Sequence, residues 1–195
     1  LFCFETLIRW NHPNSGSISP GQFFPQANQH GIMPQLDKWV ITHAIKSFKN
    51  LEKESQPDFC FSINLSEQLL KETETPEFII SQLQEYGISS NNIEFEISEH
   101  ILLNRLYEQR WQPFDELGLR LVVDQCTIDG IRSGMFNRLP VYALKINLSE
   151  LQSMGNDDLP FIENKTILDC IYSIDQEKTR LTIQGIENAE QYAQM

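Results

Sequence analysis

LGLRLVVDQCTIDG, residues 117–130, carries the pattern on which the fold turns. The apolar run Leu121-Val122-Val123 reads as a buried strand, because side chains apolar on both faces are what a parallel sheet covered by helices demands. The run stops at a carboxylate, Asp124, and the next residue is an amide, Gln125. An acid at the end of a buried strand suits chemistry. An uncharged neighbour divides an enzyme from a receptor.

Working outward, strand-like and helix-like segments alternate along the chain. LFCFETLIRW (residues 1–10), FCFSINLS (59–66), IEFEIS (93–98), LRLVVD (119–124), YALKIN (142–147) and RLTIQG (180–185) are short, apolar and bounded by turn formers. Between them, Leu36, Trp39, Val40, Ala44 and Phe48 recur at helical spacing, as do Ile79, Ile80, Leu83 and Tyr86. A third stripe, Leu103, Leu106, Tyr107, Phe114 and Leu117, ends at Gly118, and Phe161, Leu168 and Ile171 suggest a fourth helix. The stretches NHPNSGSISPG (11–21) and SELQSMGNDDLP (149–160) read as turn-rich loops, and LEKESQPD (51–58) as a solvated connector.

Regular β-then-α alternation means parallel strands covered by helices, either a doubly wound sheet or a (β/α)₈ barrel. No glycine-rich phosphate loop follows any strand, which favours the barrel. A complete barrel takes about 250 residues. The 195 residues here form a single domain and are expected to lack part of one.

The formal net charge of −12 argues against a surface that binds a nucleic-acid polymer by counterion release. It leaves room for a small anion held by a cation or a few arginines. No apolar run approaches the roughly 20 residues that span a bilayer. Cys3, Cys60, Cys126 and Cys170 are widely spaced and read as reduced core thiols of a cytoplasmic protein.

In a barrel, chemistry sits at the C-terminal ends of the strands. Those ends supply Asn64, Glu96, Glu99, Asp124 and Glu187, with Glu5 inside the first run. Oxygen ligands without histidine or cysteine describe a site for a hard cation such as Mg²⁺ or Mn²⁺. An Asp or Asn at a strand end equally serves as the N-cap of the next helix, and Asn64 with Ser66 before SEQLLK fits that role.

These same residues resemble a known family. ETLIRWNHPNSGSISPGQFFPQANQHGIMPQLDKWV, SINLS, FEISE, LPVYALKIN and TIQGIENAEQ follow in the order of the EAL domain, the bacterial phosphodiesterase and receptor module for cyclic di-GMP. The resemblance covers residues 1–195 and implies a modified (β/α)₈ TIM-like barrel, truncated at both ends, without the first strand and the closing elements. It implies metal ligation by Glu5, Asn64, Glu96 and Asp124, and a loop-steadying or catalytic role for Glu99. Lys145 and Glu187 match further catalytic positions, and Leu7, Arg9, Asp37, Asn64 and Glu187 match ligand contacts. It also implies a cytoplasmic module whose full-length protein is attached to a sensor or GGDEF-type domain, with membrane tethering and homodimerisation both compatible.

The chain departs from the family where the second ion is held. The family's second aspartate is Gln125, Asn147 replaces the aspartate of Lys-Ile-Asp, and Gln184 replaces the glutamate of Ala-Glu-Gly. Loop glycines are replaced by Thr127 and Asp129. An amide brings a dipole instead of a charge and accepts no proton at neutral pH. The expectation is a degenerate domain that binds cyclic di-GMP with at most one Mg²⁺ or Mn²⁺, or none, and hydrolyses it weakly or not at all. The alternatives are a weak phosphodiesterase releasing linear pGpG and a nucleotide-independent protein-interaction module.

Overall fold

In the computed structural model, the described residues are 2–54, 59–104, 111–152, 169, 172–174 and 178–193. They fall into two compact units, Leu1–Glu96 with Pro113–Arg120, and Ile97–Gln112 with Leu121–Met195.

In the first unit, β1 (Phe2–Thr6), β4 (Phe59–Asn64) and the start of β5 (Ile93–Ser98) pair in parallel in that order. A short antiparallel hairpin, β2 (Trp10–His12) with β3 (Gly16–Ile18), starts at the end of the first strand-like run and extends into the segment expected to be a turn-rich loop. Gly16, at φ +68, supplies the left-handed residue that the tight connection needs.

Helix α1 (Pro20–Gln29) is opened by a capping box in which Ser19 and Gln22 serve each other's backbone. The long α2 (Met33–Glu54) covers β4, with Phe48 edge-on to Phe59 and Phe61. Its buried face runs through Asp37, Ile41, Ala44, Ile45 and Phe48. Trp39, expected in that stripe, is 51% exposed and stacks outward on His43. An apolar residue on the flank of a helical stripe is assigned by its neighbours, which spacing alone does not reveal. Short α3 (Glu67–Leu70) and α4 (Thr75–Tyr86) follow, α4 burying Ile79 and Leu83 and ending on Gly87 in the left-handed region.

In the second unit, α5 (Glu99–Leu102) leaves the end of β5, and β6 (Arg120–Cys126), β7 (Ala143–Asn147) and β8 (Arg180–Gln184) pair in parallel in chain order. Of the third helical stripe, Phe114 is buried in α6 (Trp111–Glu116), while Leu103 and Leu117 lie outside the helices and are exposed. Leu106 and Tyr107 lie outside the described residues, and Gly118 at φ +66 stops the chain as expected. Between and after the strands lie α7 (Ile128–Arg132), α8 (Leu148–Gln152) and α9 (Ala189–Ala193). The core packs Leu121, Val122, Val123, Leu144 and Ile146, each at most 1% exposed. The fourth stripe, at Phe161, Leu168 and Ile171, lies outside the described residues.

Two of the four cysteines do not behave as read, and Cys170 lies outside the described residues. Cys3 and Cys60 are register partners on β1 and β4, their Cα atoms are 4.5 Å apart, and the structure joins them in a disulfide. That separation falls within disulfide range. A spacing of 57 residues conceals a pair that only strand pairing creates. Cys126 is free and buried, as expected.

Candidate functional site

Parallel strands keep register partners on the same face, and alternation sends every second residue there. On β4, Phe59 and Phe61 face α2, so Cys60, Ser62 and Asn64 face the opposite way. Glu5 pairs with Ser62 in register, Ser62 with Glu94, and Asn64 with Glu96. The first unit therefore gathers Glu5, Asn64 and Glu96 on one face toward the C-terminal ends of its strands. Asn64 Nδ2 donates to Glu5 Oε1 at 2.9 Å. Glu96 is 1% exposed, among the most buried carboxylates of the described residues.

The competing role for Asn64, capping α3, falls to its neighbour. Ser66 Oγ accepts from the Leu69 N–H at 3.2 Å. Asp37 Oδ2 accepts from the Ser66 N–H at 3.1 Å. Burial pushes the Asp37 carboxyl up to about 6, although the hydrogen bonds from Ser66 pull the other way. Asp37 is thus a buried acid tied to a helix start, and only 7% of it is exposed.

Beside the end of β1 lies a shallow groove of about 230 Å³, whose lining includes Leu7, Arg9, Trp39 and His43. Leu7 is 55% exposed, and Arg9 Nη1 donates to the Ile8 carbonyl at 2.8 Å. The rings of Trp39 and His43 stack with centroids 3.9 Å apart. Sequence reading missed this aromatic shelf. Its signal was an aromatic pair at i,i+4 on α2, obscured because Trp39 was assigned to the core.

In the second unit, Val123 pairs with Leu144 and Cys126 with Ile146, so two residues, Asp124 and Gln125, lie opposite the single Lys145. This is a β-bulge, an irregularity that re-aims side chains at strand ends. Without it, Asp124 and Gln125 would point to opposite faces. With it, both lie on the Lys145 side, away from buried Val123 and Cys126. Gln125 adopts φ +55, the only left-handed non-glycine among the described residues. Asp124 Oδ1 is buried and has no hydrogen-bond partner among the described residues.

Lys145 pairs in register with Thr182 and Asn147 with Gln184, so the residues replacing family acids share this face. Asn147 Oδ1 accepts from the Ser149 N–H at 3.0 Å and from its hydroxyl at 2.9 Å, holding the first turn of α8. Glu99, 9% exposed, accepts from both the backbone N–H and the hydroxyl of Thr127. Thr127 Oγ1 in turn accepts from the Gly130 N–H at 3.0 Å and caps α7. The loop after Asp124 closes with Thr127 extended at φ −88 and Gln125 in the left-handed region. Glu187 is exposed, and its N–H donates to Gln191 Oε1.

The residues present fit a hard divalent cation on the chemistry of the donor set. In the first unit, Glu5, Asn64 and Glu96 offer oxygen atoms from one face; in the second, Asp124 Oδ1 is a buried oxygen with no hydrogen-bond partner among the described residues. Gln125 and Gln184 offer only dipoles.

The family model of the EAL domain matches residues 1–195, and the chain belongs to the EAL domain family. It is 27% identical over 188 residues to the biofilm architecture maintenance protein MbaA of Vibrio cholerae serotype O1, covering 96% of this chain and 23% of that protein. It is 24% identical over 193 residues to the cyclic di-GMP phosphodiesterase NbdA of Pseudomonas aeruginosa, covering 97% and 24%. The chain thus spans about a quarter of the length of these curated relatives. Its backbone superposes on the FimX EAL domain from Pseudomonas aeruginosa bound to c-di-GMP with a TM-score of 0.79, at 21% identity, covering 98% of this chain and 76% of that one. The fold is the one expected, a modified TIM-like α/β barrel of the EAL type.

Proposed function

We propose that this chain is a degenerate EAL domain that binds cyclic di-GMP and hydrolyses it little or not at all. The observation that carries the reading is the bulge at Asp124-Gln125, which turns an acid and an amide toward Lys145 where the family has two acids. Asn147 and Gln184 remove two further charges from the same face. In-line attack on a phosphodiester requires a means of generating hydroxide and of stabilising the leaving oxygen. Amides supply neither a second strongly held cation nor a base. Loss of a general base alone costs about 10²–10⁴ in rate.

Binding draws on other residues. Arg9 carries a planar fork of donors suited to phosphate oxygens. The Trp39–His43 shelf in the same groove offers a face for a purine. Asp37 is matched to the guanine edge by family position. Glu5, Asn64 and Glu96 of the first unit would hold at most one Mg²⁺ or Mn²⁺, which when bound supplies charge next to a phosphate, and Asp124 is matched to that ion by family position alone. Further domains in the full-length protein, sensor or GGDEF-type, would take up the signal.

The weak-phosphodiesterase reading is favoured by one feature, the assembled Glu5–Asn64 pair with buried Glu96 on the same face. Titration calorimetry with cyclic di-GMP, with and without Mg²⁺, combined with chromatographic assay of linear product, separates the readings. Binding without turnover is expected. Turnover abolished by Glu5→Ala would establish an enzyme, and the absence of any binding heat would point to a protein-interaction module.

A further inference from the structure

On the face of the first unit's strands opposite α2, toward their N-terminal ends, lies a second cluster that the site above does not use. Cys3, Cys60 and Glu94 place their sulfur and carboxylate atoms within 4.8 Å of one another. Register explains the convergence. Cys3 pairs with Cys60, while Glu94 pairs with Ser62, two residues along β4 from Cys60. Cys60 is fully buried, Glu94 is 7% exposed, and Cys3 is exposed, giving the cluster a closed floor and an open side. Glu94 Oε1 lies 3.5 Å from Cys60 Sγ. In the disulfide that sulfur carries no proton to offer the carboxylate. Ser62 Oγ, on the same face and 1% exposed, has no hydrogen-bond partner among the described residues. Two buried ligand residues and one exposed one, offering atoms of two kinds with an idle hydroxyl beside them, describe a coordination site better than a packed core.

We propose that in the reduced protein Cys3, Cys60 and Glu94 bind a thiophilic divalent cation of the Zn²⁺ class, with water from the open side completing the shell. Reduction by a phosphine breaks the Sγ–Sγ bond: the phosphine gives two electrons and leaves as its oxide, and the water that supplies that oxygen gives the two protons. The cation then replaces the two thiol protons. Thiolates select zinc-like ions over Mg²⁺, so the site is chemically distinct from the oxygen-donor set at the strand ends. Zn–S bonds of about 2.3 Å in a tetrahedral shell hold two sulfurs roughly 3.8 Å apart. Side chains on register partners with Cα atoms 4.5 Å apart reach that separation by rotation about χ1. This inference stands independently of nucleotide binding.

The test is Co²⁺ titration of the intact chain after reduction by a phosphine and its removal, in the absence of oxygen and with Mg²⁺ in excess. One equivalent should give the near-ultraviolet thiolate-to-cobalt absorption, and Zn²⁺ should bleach it. The band should vanish in Cys3→Ser and in Cys60→Ser and persist in the Cys126→Ser/Cys170→Ser double variant. Glu94→Gln should keep the thiolate band but weaken the affinity by at least about tenfold, the lower end of what losing even an outer-shell partner costs. The wild-type titration is decisive if a variant fails to fold. Absence of a thiolate band from reduced wild-type protein, a band in the unreduced disulfide form, or displacement of Co²⁺ by Mg²⁺ would each overturn the proposal.

Discussion

Gln125 concentrates the functional question in one residue. It sits at φ +55 in a bulge beside Asp124, a conformation that Asp and Asn tolerate better than most residues. An aspartate there is sterically acceptable and would restore charge next to Lys145. Gln125→Asp combined with Gln184→Glu should therefore raise the Mg²⁺-dependent rate of cyclic di-GMP hydrolysis by a larger factor than it raises affinity. Rescue should be partial because Asn147 remains. Product chromatography and calorimetry on the same preparations check this, and equal gains in both would contradict it. Cys126, two residues after Asp124, behaves differently. Burial, reinforced by the negative charge of Glu99, pushes its thiol up to about 12. Since the thiolate is the reactive form, Cys126 should resist aromatic disulfide reagents in native Cys170→Ser protein and react on unfolding in urea.

Two helix starts carry the predictions at the scale of elements. At α2, Asp37 ionises at about 6 in the folded chain against an ordinary 3.8, because burial disfavours its charge. Between those values the folded state holds more protons than the unfolded one, so stability falls as pH rises through the window. Asp37→Asn removes the titration. Its stability should match wild type below about pH 4 and exceed it above pH 6 by on the order of 2–3 kcal/mol, because displacing an ionisation by a factor of ten in proton affinity is worth roughly 1.36 kcal/mol. Urea denaturation at pH 3.5, 5 and 7 checks both limits.

At α7, a Cβ on Gly130 would lie 2.1 Å from Glu99 Oε1. Gly130→Ala should push Glu99 off Thr127 and cost about 1–3 kcal/mol, the penalty for unsatisfied buried polar groups. Combined with Glu99→Ala, which opens the space, the two losses should sum to less than their separate values, as expected of residues in contact.

For the whole molecule, ligand linkage offers the broadest check. A ligand that binds only the folded state stabilises it by about 2.7 kcal/mol at a hundredfold excess over Kd. Cyclic di-GMP should raise the melting temperature at neutral pH, and Arg9→Ala should weaken binding by about 1.5–3 kcal/mol, the worth of a charge-assisted hydrogen bond. A shift unchanged by Arg9→Ala would remove the groove beside β1 from the binding surface. No helix among the described residues is long and apolar enough to cross a membrane.

The strands of the parallel sheet were legible in the sequence, because a buried parallel strand admits apolar residues on both faces and declares itself as a short run such as Leu121-Val122-Val123; the exposed β2–β3 hairpin was not. The candidate acids were legible for the same reason: a charge that interrupts such a run must have a use or a partner. Strand pairing decided the rest. The bulge that carries both Asp124 and Gln125 to the Lys145 side depends on a register shift against β7, and no property of β6 alone specifies it. The meeting of Cys3 with Cys60, and the assignment of capping to Ser66 instead of Asn64, likewise rest on geometry between distant or competing residues. Composition and periodicity report what one segment prefers. Which face a side chain finally occupies is settled by the neighbour it packs against.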